Sequence, residues 1–379
     1  MGRPPRRRYA LQQPELDQLV EQLVERAQEE FGEAPGSEFV RQVVVTALRL
    51  LRDRAYPGDI KLINSSLKEL RHALRVFAPY KHVRKVTVFG SARTRADHPD
   101  WQQAFAFSER MAREGWMTIT GAGPGIMRAA NGGAGRSASF GVNIRLPYEQ
   151  EANEVIAGDS KLVNFRYFFT RKVVFVKESH AIALFPGGFG THDEGFEALT
   201  LVQTGKSQIL PIVFVDAPGG SYWRDWEAYV RTHLRQRGLI SESDLALFKV
   251  TDDVDAAVQE VLTFYNNYDS SRYVDDLLVI RVRRAPGPER LEALNREFAD
   301  ILVGGRIEVG SALPREAGEA SQHPRVTLAF NRRDVGRLRM LVDRLNALVA
   351  DHAPAREASP REVLEEVLPP EAERAEEAE

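Results

Sequence analysis

Ala181-Ile-Ala-Leu-Phe185 runs directly into Pro186-Gly187-Gly188-Phe189-Gly190-Thr191-His192-Asp193-Glu194. A short apolar run bounded by glycine reads as a buried strand, and the residues that follow it read as a turn into a helix beginning near Thr191. Gly187, Gly188 and Gly190 free the backbone to point N–H groups outward, and a helix start adds its dipole. Such a turn binds a phosphate without a lysine. A P-loop is excluded, because no Gly-Lys-Ser/Thr follows. Thr191-x-x-Glu194 also has the form of a capping box, in which both side chains only satisfy orphan helix donors. Capping does not account for the preceding glycines, nor for three acids (Asp193, Glu194, Glu197) at an anion-binding helix start.

Outward from this stretch the same texture repeats. Val86–Phe89, Trp116–Thr120, Phe140–Leu146 and Ile209–Val215 are further apolar runs, with amphipathic segments such as Trp101–Arg113 and Ile126–Ala134 between them. Strand and helix in alternation predict an α/β fold, a Rossmann-like doubly wound parallel sheet over 84–268, whose ligands bind beyond the carboxyl ends of the strands. The first strand ends in Gly90-Ser91-Ala92-Arg93, where small residues let N–H groups and a hydroxyl approach an anion; a tight strand-to-helix turn would use the same residues. The second ends in Thr120-Gly121-Ala122-Gly123-Pro124-Gly125-Ile126-Met127. Ile126 stands where a dinucleotide fingerprint needs its third glycine, and Pro124 suits the first turn of the next helix. That leaves a glycine turn able to receive a phosphate or a sugar, or simple turn geometry.

Upstream of the opening stretch, Arg171 and Lys172 interrupt the apolar run Tyr167–Val176. Buried helices carry charges only where they face a polar cavity or pair with acids. Arg171 offers a bidentate grip on phosphate or carboxylate, and salt bridges to Glu178 or Asp193 are the structural alternative.

The flanks differ in character. Residues 1–83 read as a helical segment, with Leu16, Leu19, Val20, Leu23 and Val24 at helical spacing and a second such stretch at Ser66–Phe77, and carry no visible chemistry. Residues 269–351 read as an appended α+β unit: strand Leu277–Val282, helix Pro288–Leu302, strands Arg306–Val309 and Arg325–Phe330, helix Asp334–Val349. That order resembles a ferredoxin-like unit lacking its final strand, with a polar, mobile loop from Pro314 to Pro324. Residues 352–379 are expected to be a disordered acidic tail.

Composition narrows the function classes. With no cysteine, disulfides, thiolate nucleophiles and cysteine-ligated zinc are excluded. The net charge of −3 provides no general drive toward nucleic acid or an anionic membrane. No window approaches the roughly 18 apolar residues of a membrane span, and the basic opening stretch is followed by no apolar run, so a cytoplasmic location is expected. The eight His show no metal-ligand spacing.

Arg171-Lys172, followed some 14 residues later by Pro186-Gly-Gly-Phe-Gly-Thr-His-Asp-Glu194, resembles the paired signature of the LOG proteins, the cytokinin riboside 5′-monophosphate phosphoribohydrolases. The Gly121–Met127 turn is similar to that family's glycine turn ending in Met. The resemblance covers about 84–265. It implies hydrolysis of a nucleoside 5′-monophosphate, AMP or an N6-modified AMP, to free base and ribose 5-phosphate, by a homodimer or larger assembly; from the His spacing, no metal or other cofactor is expected. Arg171 and Glu194 would be the catalytic pair. Gly187, Gly188, Gly190 and Thr191 would hold the phosphate, and Ser91, Gly121, Gly123, Gly125, Met127 and Lys172 would complete the nucleotide site. His192-Asp193 replaces the family's more usual Leu-Glu, and the two flanking regions lie outside its minimal domain. Related proteins carry an old label of lysine decarboxylase; that chemistry needs a Schiff-base lysine, and no residue here stands out as one. The alternative function is a protein that binds or senses a nucleotide, or carries a molybdenum cofactor, without turnover.

Overall fold

The computed structural model describes residues 9–32, 36–145, 151–314, 316 and 322–348. The basic opening residues, Leu146 at the end of the third expected strand and the expected acidic tail lie outside them. The chain forms two compact units, Met1–Glu69 and Leu70–Glu379.

The first unit is helical, with α1 (Pro14–Phe31), α2 (Ser37–Arg52) and the first part of α3 (Pro57–Phe77). Its small core is Leu11, Val20 and Val45. Asp17 secures the entry to α1 by accepting from the N–H groups of Leu11 at 2.7 Å and Gln13 at 3.1 Å. Of the apolar residues expected to line α1, Val20 is buried while Leu16, Leu19 and Leu23 remain exposed.

The second unit alternates strand and helix: β1 (Lys85–Phe89), α4 (Pro99–Arg113), β2 (Met117–Thr120), α5 (Ile126–Ala134), β3 (Ser139–Ile144), β4 (Leu162–Phe165), α6 (Phe168–Glu178), β5 (Ala181–Leu184), α7 (Phe189–Gln203), β6 (Ile212–Val215), α8 (Tyr222–Tyr229), β7 (Phe248–Thr251) and α9 (Val254–Phe264). The strands form one parallel sheet in the order β4-β3-β2-β1-β5-β6-β7. Both faces are covered, which is why the strands read as apolar runs and not as alternating patterns. In β5, Ile182 and Leu184 point into one core with Phe89, Phe140, Val174 and Phe214. Ala181, Ala183 and Phe185 point into the other, with Val86, Val88, Phe107 and Val261. Strand order reverses between β1 and β5, so the ends of those two strands open the crevice in which such sheets bind ligands.

Beyond α9 the chain continues as β8 (Tyr268–Val274), β9 (Leu277–Val282), α10 (Pro288–Glu297), β10 (Leu302–Gly310), β11 (Arg325–Phe330) and α11 (Val335–Ala347), with an antiparallel sheet in the order β10-β11-β9-β8. The ferredoxin-like reading gains one feature. Among the described residues no strand follows α11, as expected, and β8, at the start of the unit, pairs with β9 on the side away from β11 and fills the place of the final strand. Asn346 of α11 accepts from the N–H groups of Asn267 and Tyr268 at 3.0 and 2.8 Å, fastening the helix to the start of this strand. Within the loop expected to be mobile, Glu316 is buried between Arg281 and Arg325, each 3.0 Å away, while residues 315 and 317–321 are outside the described residues.

Candidate functional site

The turns after β1 and β5 are joined directly. The N–H of Ser91 donates to the carbonyl of Pro186 at 3.1 Å, and that of Phe185 to Phe89 at 2.9 Å. A Cβ on Gly187 would strike the hydroxyl of Thr191 and crowd the N–H of Ser91, so glycine is what allows the two turns to close on each other. Around this junction lies a cleft of about 810 Å³, lined by residues that include Gly90, Ser91, Met127, Arg171, Gly187, Gly188, Gly190, Thr191 and Glu194. The volume falls in the range of small-ligand sites.

Helix α7 starts earlier than expected. It begins at Phe189, with Gly188 as its N-cap and no side chain capping it. Thr191 is therefore the third residue of the helix and Glu194 lies in its second turn, too far in to reach back to the cap. The capping-box reading fails for this reason. Gly188 and Gly190 face open space, leaving the free N–H groups of the helix start accessible to an anion.

The second glycine turn has a different place. Gly121, Gly123 and Gly125 do not line the cleft. A Cβ on Gly121 would overlap the guanidinium of Arg171 and the sulfur of Met127, and one on Gly123 would meet the methyl of Met127. Gly125 has φ +67° and passes close to the carbonyl of Ser91, which accepts from the N–H of Ile126 at 3.0 Å. It caps α5, so Pro124 stands before the cap and not in the first turn. These glycines make room for Arg171 and Met127, which do face the cleft. Asn153, not singled out in the sequence, braces the turn from below: its N–H donates to the Ala122 carbonyl at 2.8 Å and its side-chain amide to Gly123 at 3.1 Å.

The two cations of α6 divide. Nε of Arg171 donates to the Val142 carbonyl at 2.8 Å, and its guanidinium borders the cleft. Lys172, one position along, is not itself a lining residue and bridges Asp193 and Glu197, each 2.7 Å from Nζ. This is the pairing with acids that the sequence left as an alternative, and it neutralises two of the three carboxylates beside the anion-binding turn. Burial would lower the Lys172 pKa, but its hydrogen bonds to Asp193 and Glu197 raise it overall, so it stays charged.

Glu194 is the remaining acid. Burial raises its pKa to about 7, against the opposing pull of Lys172 and Arg171, with Glu197 and Asp193 adding to the rise. Burial likewise lowers the pKa of Arg171, with Glu194 opposing it, and both side chains line the same cleft. A carboxyl poised near neutrality in a cleft is suited to giving or taking a proton.

Tyr222, on α8, also lines the cleft and gave no signal in the sequence. Its hydroxyl donates to the carbonyl of Gly187. That uses its only proton, so at 2.7 Å it accepts from Nε2–H of His192, which fixes the tautomer of the imidazole. Burial lowers the pKa of His192, which favours the neutral ring. Phe168 and Phe189 add exposed aromatic surface to the same cleft.

Among the described residues no group of His, Asp or Glu is arranged to hold a metal ion, and no helix is long and apolar enough to cross a membrane.

Comparison with known proteins identifies one family. Residues 125–261 match the family described as "Possible lysine decarboxylase", and the match includes Arg171, Lys172 and the whole 186–194 stretch. The matched segment, about a third of the chain, contains the residues that carry the LOG resemblance. A search of curated proteins returns no match. Among solved structures, the chain is similar to the molybdenum cofactor binding protein of Rippkaea orientalis, at 18% identity and a TM-score of 0.34 over 47% of this chain and 94% of that one. It is also similar to the molybdenum cofactor carrier protein of Chlamydomonas reinhardtii, at 20% identity and a TM-score of 0.32 over 48% of this chain and 98% of that one.

Proposed function

We propose, from the LOG-like family of residues 125–261 and the chemistry of the cleft, that this protein hydrolyses the N-glycosidic bond of a nucleoside 5′-monophosphate. The observation that carries the reading is Glu194: a carboxyl with its pKa raised to about 7, beside a helix start with open N–H groups.

The 5′-phosphate would sit on the N–H groups of the 187–191 turn, which positions the sugar and lowers the entropic barrier. Breaking the C1′–N bond passes through an oxocarbenium-like sugar. Glu194 would take the proton of a water whose oxygen attacks C1′, and its negative charge would stabilise the developing cation. The C1′–N electron pair leaves with the base, which picks up a proton from solvent. Arg171 would orient Glu194 and contact the sugar or phosphate. The products are the free base and ribose 5-phosphate.

Decarboxylation of lysine is not proposed. Among the described residues no lysine lines the cleft, and Lys172 is held by two carboxylates. The remaining alternative is binding of a nucleotide or a molybdenum cofactor without turnover. We also place the activity in the cytoplasm, in a homodimer or larger assembly.

Incubation with AMP, the other nucleoside monophosphates and N6-isopentenyl AMP, followed by chromatography for free base and ribose 5-phosphate, tests the reading. Release from any of them supports it and ranks the bases. Binding with no release over long incubation points to a carrier or sensor.

A further inference from the structure

A second cleft, of about 640 Å³, adjoins the first. The two share Ser91, Arg93, Gly187 and Tyr222, so one face of the phosphate turn looks into each. The new lining comes from the loop after β1 and the start of α4, and its charges are unequally engaged. Of its two carboxylates, Asp100 accepts from the N–H of Ala217 at 3.0 Å and lies 3.4 Å from Nδ1 of His98. Asp97 pairs with Arg95 at 3.2 Å. The guanidinium of Arg93 has no hydrogen-bond or ion-pair partner among the described residues, although its backbone N–H donates to the Ser91 hydroxyl at 3.1 Å. An unpaired cation thus stands on the rim common to both clefts, with the neighbouring acids already satisfied.

We infer that the second cleft is an anion subsite, in which Arg93 holds a phosphoryl group joined to the 5′-phosphate seated on the 187–191 turn. The ligand class then extends from nucleoside monophosphates to nucleoside 5′-diphosphates and longer 5′-phosphate chains. A single phosphoryl group does not need 640 Å³, so the cleft has room for such a chain. Planar guanidinium forks suit phosphoryl oxygens, and each charge-assisted contact is among the stronger polar ones. Arg95, exposed and paired with Asp97 alone among the described residues, is close enough in the chain to add a weaker second contact. The inference rests on the nucleotide reading of the first cleft.

The test is calorimetric titration of the full chain with AMP and with ADP, for the parent protein, Arg93→Ala and Arg93→Lys. The expected result is tighter binding of ADP than of AMP by the parent, about ten- to hundred-fold. That ratio should fall close to one in Arg93→Ala and be partly kept in Arg93→Lys. AMP binding with no preference for ADP in the parent would overturn the subsite while leaving the first cleft intact. Equal weakening of both nucleotides by Arg93→Ala would also overturn it, assigning Arg93 to the 5′-phosphate itself. Failure of the parent to bind either would overturn the nucleotide reading and the subsite with it.

Discussion

The guanidinium of Arg171 occupies the space that a Cβ on Gly121 would fill. The glycine turn after β2 therefore acts on the site through a side chain of α6, without touching the ligand space itself. Gly121→Ala should displace Arg171 and cut turnover by about a hundred-fold, the scale of a misplaced orienting group. Nucleotide binding at the 187–191 turn should change far less. Turnover and affinity measured on the same preparation check this, and a loss of affinity as large as the loss of rate would contradict it.

The state of Glu194 sets the pH dependence. A general base with a pKa near 7 is half-protonated at neutrality, so kcat/KM should rise with pH and level off above about 7. The stability effect has the opposite direction. A carboxyl whose folded pKa is raised favours the folded state when protonated, and that contribution is lost as pH rises from the unfolded value through about 7. Glu194→Gln should accordingly unfold at a higher temperature than the parent at pH 8 and at a similar one near pH 4. The gain is bounded at about 3 kcal/mol. Thermal melts at the two pH values are the check.

Lys172 holds Asp193 and Glu197 and lowers the pKa of Glu194. Lys172→Met should leave two unneutralised carboxylates beside it and move the rate profile to higher pH by about one unit. Phosphate binding should weaken as well, because the anion would meet more negative charge. An unchanged profile would mean that Lys172 is only a surface pair.

Tyr222 steadies the carbonyl of Gly187 while His192 steadies Tyr222. Tyr222→Phe removes one hydrogen bond to the phosphate turn. It should raise KM about three- to ten-fold, the scale of a single net hydrogen bond, with a smaller change in kcat. Steady-state kinetics separate the two.

The central strands were legible because they are buried on both faces and bounded by glycine, as in Ala181–Leu184 and Lys85–Phe89. The edge strands were not. Leu162–Phe165 and Phe248–Thr251 are four residues long and contain Asn164 and Lys249, so no apolar run marks them. Tyr268–Val274 carries Ser270, Ser271 and Arg272 and looks like a linker until β9 pairs with it. At the site, Arg171 and Lys172 announced a polar cavity as a pair. Which of them faces it depends on where the helix meets β3, a tertiary fact. Thr191-x-x-Glu194 has the spacing of a capping box, but Gly188 takes the cap and starts α7 two residues sooner. Tyr222 reaches the cleft from α8, and nothing local to its own sequence signals that position.

The most direct test of the account is the rate at which AMP, or the best nucleoside monophosphate found, yields free base and ribose 5-phosphate with the parent and with Glu194→Gln. The prediction is release by the parent and a loss of about 10²–10⁴-fold in the variant, with nucleotide affinity kept within a few-fold. Equal rates in the two proteins would contradict the role assigned to Glu194. Binding by both with release by neither would contradict the hydrolase itself.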